Sequence, residues 1–194
     1  RLPGDDSARV VRLESTGGVV HGYGLAAAQL QRLTARGIPL TVAVAKVAAS
    51  GGYMMACIAD RLIAAPFAIV GSIGVIAQIP NFNRLLKKNN IEYEQITAGA
   101  YKRTLTVFGE NTDAGRQKLQ GELEDTHRLF KELIRQYRGG VDIERVATGE
   151  HWYGTQALEL KLVDRLQTSD DYLLAAADEA RIYHVAFAAK KGMG

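Results

Sequence analysis

The run Ala48-Ala49-Ser50-Gly51-Gly52-Tyr53 holds the residues best suited to chemistry. It sets a serine between a strand-like and a helix-like segment, with glycines on its C-terminal side. A hydroxyl there projects at a helix N-terminus, where unpaired N–H groups and the helix dipole favour negative charge. Gly51 lets a substrate approach closely, and its N–H can face a forming oxyanion. Serine is also a favoured helix cap. The segment alone therefore leaves two readings open, a nucleophile and a plain cap.

A serine nucleophile needs a base. The four histidines are scattered: His127 falls mid-helix, His151 beside Trp152 in a turn and His184 in a late strand. Only His21, just past a glycine turn, falls where it could approach Ser50, and a loop histidine is the plainer reading. No paired-histidine metal spacing such as H-E-x-x-H occurs. A lysine can serve as base when its neutral amine is populated, and burial favours the neutral form. Lys102, in Gly99-Ala100-Tyr101-Lys102-Arg103, follows a predicted strand in an irregular stretch. The other reading is a solvated loop lysine. Ser72 in Gly71-Ser72-Ile73-Gly74, taken by itself, satisfies a tight turn.

The elements that must position these groups follow from hydrophobic spacing. Ala8 to Leu13 reads as a buried strand that runs into the turn Glu14-Ser15-Thr16-Gly17-Gly18. Leu25, Ala26, Leu30 and Leu33 predict a helix over Tyr23 to Ala35, stopped by Gly37 and Pro39. Leu40 to Val47 is nearly continuous in Val and Ala, as in a strand covered on both faces. These three segments make a βαβ unit. An apolar helix over Tyr53 to Ala59, a strand over Arg61 to Ala64, a Gly/Ser-rich piece from Ile69 to Ile76, a small helix over Asn81 to Asn89 and a strand over Ile91 to Thr97 follow. Thr112-Asp113 can cap a long helix to Tyr137, striped by Leu119, Leu123, Phe130 and Leu133. A helix over Thr155 to Leu160, a short Leu162-Val163 strand, a last helix capped by Ser169 or Asp170, and a strand over Ile182 to Phe187 complete the pattern. The fold class is α/β.

With 194 residues, 47% of them hydrophobic, the chain suits one domain with a real core. A balance of 24 basic against 21 acidic residues is too even to point to nucleic acid. The single cysteine, Cys57, excludes an internal disulfide framework and a four-cysteine zinc site. No run approaches the ~20 apolar residues that span a bilayer.

Three motifs in order resemble a known family: Ala49-Ser50-Gly51-Gly52-Tyr53, Gly71-Ser72-Ile73-Gly74-Val75 and Gly99-Ala100-Tyr101-Lys102. Ser72 lies 22 and Lys102 lies 52 residues beyond Ser50. Motifs and spacings are similar to the signal peptide peptidase A (SppA)/SohB family of serine-lysine peptidases, and most similar to its bacterial SohB branch. The likeness runs from Val10 to about Leu166. It implies Ser50 as nucleophile, Lys102 as general base and Ser72 as the group that orients the amine. It implies an oxyanion hole from the N–H of Gly17 or Gly18 with that of Gly51. The family turn is Ser-Pro-Gly-Gly; here Thr16 replaces proline, which loosens φ.

The resemblance further implies a single-domain ClpP/crotonase-like fold of ββα-type units over residues 8–187, between a lead-in at 1–7 and a tail at 188–194. It implies a serine endopeptidase that works through an acyl-enzyme without metal or organic cofactor. Expected substrates are signal-peptide remnants or membrane-associated polypeptides. Expected assembly is a ring-like homo-oligomer at the bacterial inner membrane, anchored by a segment preceding Arg1, with no nucleic-acid partner. Tyr53 and Met54 are candidate substrate contacts or packing residues. Cys57 and Asp164 suit structural roles, and Arg103 either braces the Lys102 loop or is solvated. Two other functions fit the same fold: an acyl-CoA enzyme using backbone oxyanion donors without a serine nucleophile, and an inactive scaffold of a membrane complex.

Overall fold

The computed structural model describes residues 8–186. The expected lead-in at 1–7 and tail at 188–194 lie outside them, as does Phe187. Strand β1 (Arg9–Ser15) leads through the glycine turn into helix α1 (Val20–Thr34) and then β2 (Leu40–Ala49). Helix α2 (Gly51–Ala56) follows Ser50 directly, and β3 (Arg61–Ala64) and β4 (Ile69–Gly71) come next. Helices α3 (Asn83–Lys88), α4 (Asp113–Tyr137) and α5 (Ile143–Val146) lie beyond. The described chain closes with β5 (His151–Tyr153), α6 (Gly154–Glu159), β6 (Arg165–Leu166) and α7 (Ser169–Ala177).

Strand β2 is the spine of the sheet. It pairs with β1 from Leu40 to Val44 and again at Ala48. It pairs with β3 over Thr41–Val44 and with β4 over Val47–Ala49. All of these pairings are parallel, as is that of β3 with β6. Only β5, beside β4, runs antiparallel. The Val/Ala run of β2 fits this central place, since Leu40, Val42, Ala43, Val44 and Ala48 are all buried. Helix α2 packs into the same core with Tyr53 and Ala56, joined by Phe130 and Ile134 of α4. Burial pushes the Cys57 thiol in this core up to about 12.

One polar cluster ties helix α2 to the end of the sheet. Arg138, just past α4, forms a two-pronged ion pair with Asp164, with one contact at 3.1 Å. Asp164 also accepts the Leu62 N–H of β3 at 2.7 Å. Beside it the Tyr53 hydroxyl donates to the Leu162 carbonyl at 2.8 Å. The Arg138 side chain is 9% exposed, so losing its carboxylate strands a charge and a strand N–H together. Asp164→Ala is expected to destabilise the fold by about 3 kcal/mol, the lower end for a broken buried pair because Asp164 itself is partly wet. A urea titration checks this through a lowered midpoint at unchanged slope.

Some sequence expectations are corrected. Residues 91–97 form no strand, because they find no partner edge: Ile91 is 53% and Ile96 95% exposed. Leu162 and Val163 are buried, but their N–H groups return to Ala157 at the end of α6, and the strand begins at Arg165. Residues 182–186 adopt no regular structure. Helix α1 starts three residues before the expected Tyr23, and it packs with Ala27 buried and Leu25 turned to solvent. Thr168, rather than Ser169 or Asp170, caps α7 by accepting the Asp171 N–H. The Thr112 cap of α4 is as expected.

Candidate active site

Ser50 occupies the single residue between β2 and α2, with φ 53° and ψ −122°. A serine held there is strained, and such strain persists only where the surroundings over-determine it. The backbone supplies that constraint: Ser50 N–H donates to the Gly71 carbonyl at 2.7 Å, and the Ser50 carbonyl accepts from Met54 N–H at 3.0 Å. A sharp strand-to-helix turn of this kind exposes a nucleophilic hydroxyl. The plain cap reading falls here, because the Ser50 side chain makes no capping hydrogen bond.

The glycine turn after β1 presses against Ser50. A Cβ on Gly17 would lie 2.7 Å from both Gly51 N and Ser50 Cβ, and Gly17 sits at φ +88°. A Cβ on Gly52 would meet the Ser15 carbonyl oxygen at 2.4 Å. These close approaches account for glycine on both sides of the contact. The Ser15 hydroxyl accepts the Gly17 N–H at 3.2 Å. The N–H groups of Gly18 and Gly51 have no hydrogen-bond partner among the described residues.

Ser72 follows β4, whose Gly71 pairs with Ala49 in β2, so the two serines end adjacent strands. Ser72 also has positive φ, 50°, and its N–H donates to the Glu150 carbonyl at 2.7 Å. His127 of α4 reaches the next carbonyl, Ile73 O, through Nε2 at 3.2 Å. Ser50, Ser72, Gly17, Gly18 and Gly51 therefore gather at one end of β1, β2 and β4. Lys102 is placed differently. It is exposed, its backbone N–H closes a turn onto Gly99 O at 3.1 Å, and its side chain makes no hydrogen bond to Ser50 or Ser72 within the described residues.

Tyr53 follows the packing reading, since it is fully buried with its hydroxyl on Leu162. Burial raises its phenol above the ordinary range. Met54 lines an apolar cavity of about 260 Å³ between α1, α2 and α4, and Ser50 is not part of that lining. His21 is exposed on α1. The sequence reading missed Tyr23, whose ring packs on Gly51 and whose hydroxyl meets Ser15. A tyrosine one helical turn past a glycine pair gave no signal of that contact.

The family model of peptidase family S49 matches residues 32–183, and that of the S49 N-terminal region matches residues 3–30. The chain belongs to peptidase family S49. Among its relatives, the Probable protease SohB of Haemophilus influenzae is 58% identical over 184 residues, covering 95% of this chain and 52% of that protein. The Probable protease SohB of Buchnera aphidicola subsp. Acyrthosiphon pisum is 59% identical, covering 94% of this chain and 54% of the relative. That of Buchnera aphidicola subsp. Schlechtendalia chinensis is 61% identical over 86% of this chain and 54% of its own length. This S49 chain thus spans about half the length of the curated relatives it matches. Among the described residues, no helix is long and apolar enough to cross a membrane.

Proposed function

We propose that this S49 chain hydrolyses peptide bonds with Ser50 as nucleophile and Lys102 as general base. The observation that carries the reading is the strained, uncapped Ser50 between two strand ends, with the N–H groups of Gly18 and Gly51 unspent beside it. In this mechanism neutral Lys102 takes the Ser50 proton as Oγ attacks the scissile carbonyl. The oxyanion is held by the Gly51 and Gly18 N–H groups. Lysine ammonium then protonates the leaving amine as the C–N bond breaks, leaving an acyl ester on Ser50. Water attacks that ester with Lys102 again accepting the proton, and Ser50 is regenerated. Ser72 orients the amine.

A neutral lysine requires shelter from water. The stretch of chain from Ile76 to Tyr101, which leads up to Lys102, carries exposed apolar groups, including Ile76, Phe82, Leu85, Ile96 and Tyr101. A second copy packed on these groups would take apolar surface from water, and a homo-oligomer is the working form of this reading. The parallel sheet around β2 fits a ClpP/crotonase-like arrangement, with the peptidase domain spanning residues 8–187. The SohB likeness supports apolar peptides, such as signal-peptide remnants or membrane-associated polypeptides, as substrates at a bacterial inner membrane.

Hydrolysis of a quenched fluorescent peptide with an apolar segment tests the reading. Its rate is expected to fall to background in Lys102→Ala. A rate that survives in that variant, while circular dichroism reports an intact fold, contradicts a lysine base.

A further inference from the structure

Tyr23 lies against Gly18 and Gly51 and reaches Gly17 through Ser15, and it has no role in the chemistry described above. Its hydroxyl lies 2.8 Å from Ser15 Oγ. Ser15 Oγ in turn accepts the Gly17 N–H at 3.2 Å. The Tyr23 ring lies so close to Gly51 that a Cβ there would be 2.4 Å from its Cγ. A Cβ on Gly18 would lie 3.2 Å from Cε2 of the same ring. One side chain of α1 therefore braces both glycines that carry unspent N–H groups, and its hydroxyl fixes the serine that engages the intervening N–H.

Resting on the proposed peptidase reading, we infer that Tyr23 is a positioning residue that acts through Ser15 to aim the N–H groups of Gly18 and Gly51 at the reacting carbonyl. The Ser15 hydroxyl has two jobs that need each other. It accepts from Gly17, which removes that N–H from competition for substrate and sets the turn. With Tyr23 it exchanges one hydroxyl hydrogen bond, which fixes its rotamer. Without the Tyr23 hydroxyl, Ser15 can rotate, Gly17 loses its acceptor and the turn can swing its donors away from the place where oxyanion charge develops. Small displacements of this kind reduce turnover strongly, while binding along the peptide is little changed.

The test compares Tyr23→Phe, Ser15→Ala and the double variant of the whole chain. Each is assayed for peptide hydrolysis and for binding of a peptide aldehyde, whose adduct oxygen occupies the oxyanion position. Phenylalanine keeps the ring against Gly51, so Tyr23→Phe retains the packing. The expected result is a loss of about tenfold in kcat for each single variant, with KM within about twofold. The double variant should lose no more than Ser15→Ala alone, since both act along one path. Aldehyde affinity should fall in step with kcat. Wild-type kcat in Tyr23→Phe, a loss expressed in KM alone, or losses that multiply in the double variant would overturn the inference. A parallel Ser50→Ala control separates the two levels. If that variant hydrolyses peptide as fast as wild type, the peptidase reading fails and the inference with it. If Ser50→Ala is inactive but Tyr23→Phe is unimpaired, the positioning role alone is rejected.

Discussion

Ser50→Ala is expected to lower peptide hydrolysis by at least about 10⁴-fold, and Lys102→Ala by a comparable factor, since members of one catalytic unit fail together. The double variant should be no worse than Ser50→Ala. Neither change should unfold the protein. Ser50 makes no side-chain capping bond that alanine would lose, and Lys102 is exposed in a turn closed by backbone. Alanine at position 50 inherits the same φ of 53°, so its backbone strain is unchanged. Thermal unfolding beside the assay separates the chemical loss from a folding defect. Appreciable turnover by Ser50→Ala in a folded sample would remove the nucleophile from this account.

Gly51→Ala is the second large effect. Gly51 is buried, and its new Cβ would stand 2.4 Å from Cγ and 2.8 Å from Cβ of Tyr23. Those atoms are the stem of the ring and cannot swing aside as a flexible chain end can. The methyl must therefore displace Tyr23 or shift α2, and both movements disturb a proposed oxyanion donor. A loss of about 10²–10³ in kcat is expected, the usual consequence of losing one such donor. Overpacking of a tight site should also cost about 1–3 kcal/mol of stability. Both are read from one preparation, by hydrolysis and by urea unfolding. Gly24→Ala, beside Tyr23 on α1, is the contrast, because nothing lies within 4 Å of its Cβ position.

The parts of the molecule that repeat a pattern were legible in the sequence. The Val/Ala continuity of Leu40–Ala49 marks a strand buried on both faces, and Thr112 marks the start of the 25-residue α4. The gathering of Ser50, Ser72 and the glycine turn was readable only through family resemblance, since it depends on β4 pairing beside the end of β2. What could not be read was contact made by tertiary approach. Leu25 has the helical spacing of a core residue, yet α1 packs with Leu25 outward and Tyr23 over Gly51. Residues 91–97 have strand-like side chains but no neighbouring edge, and a strand needs a partner for its backbone. Tyr53 sits three residues past Ser50 and looks like a pocket wall, but its ring is fully buried in the core and its hydroxyl donates to the Leu162 carbonyl, a tertiary contact 109 residues away in sequence.

In the proposed mechanism Ser50 is activated for attack by Lys102. Reaction of the folded chain with a fluorophosphonate, followed by peptide mapping, tests it most directly, since serine Oγ displaces fluoride and leaves a stable phosphonyl ester at the residue that attacked. One adduct on Ser50 is expected, suppressed in Lys102→Ala. An adduct on another residue, or one on Ser50 that forms equally fast without Lys102, would contradict the claim.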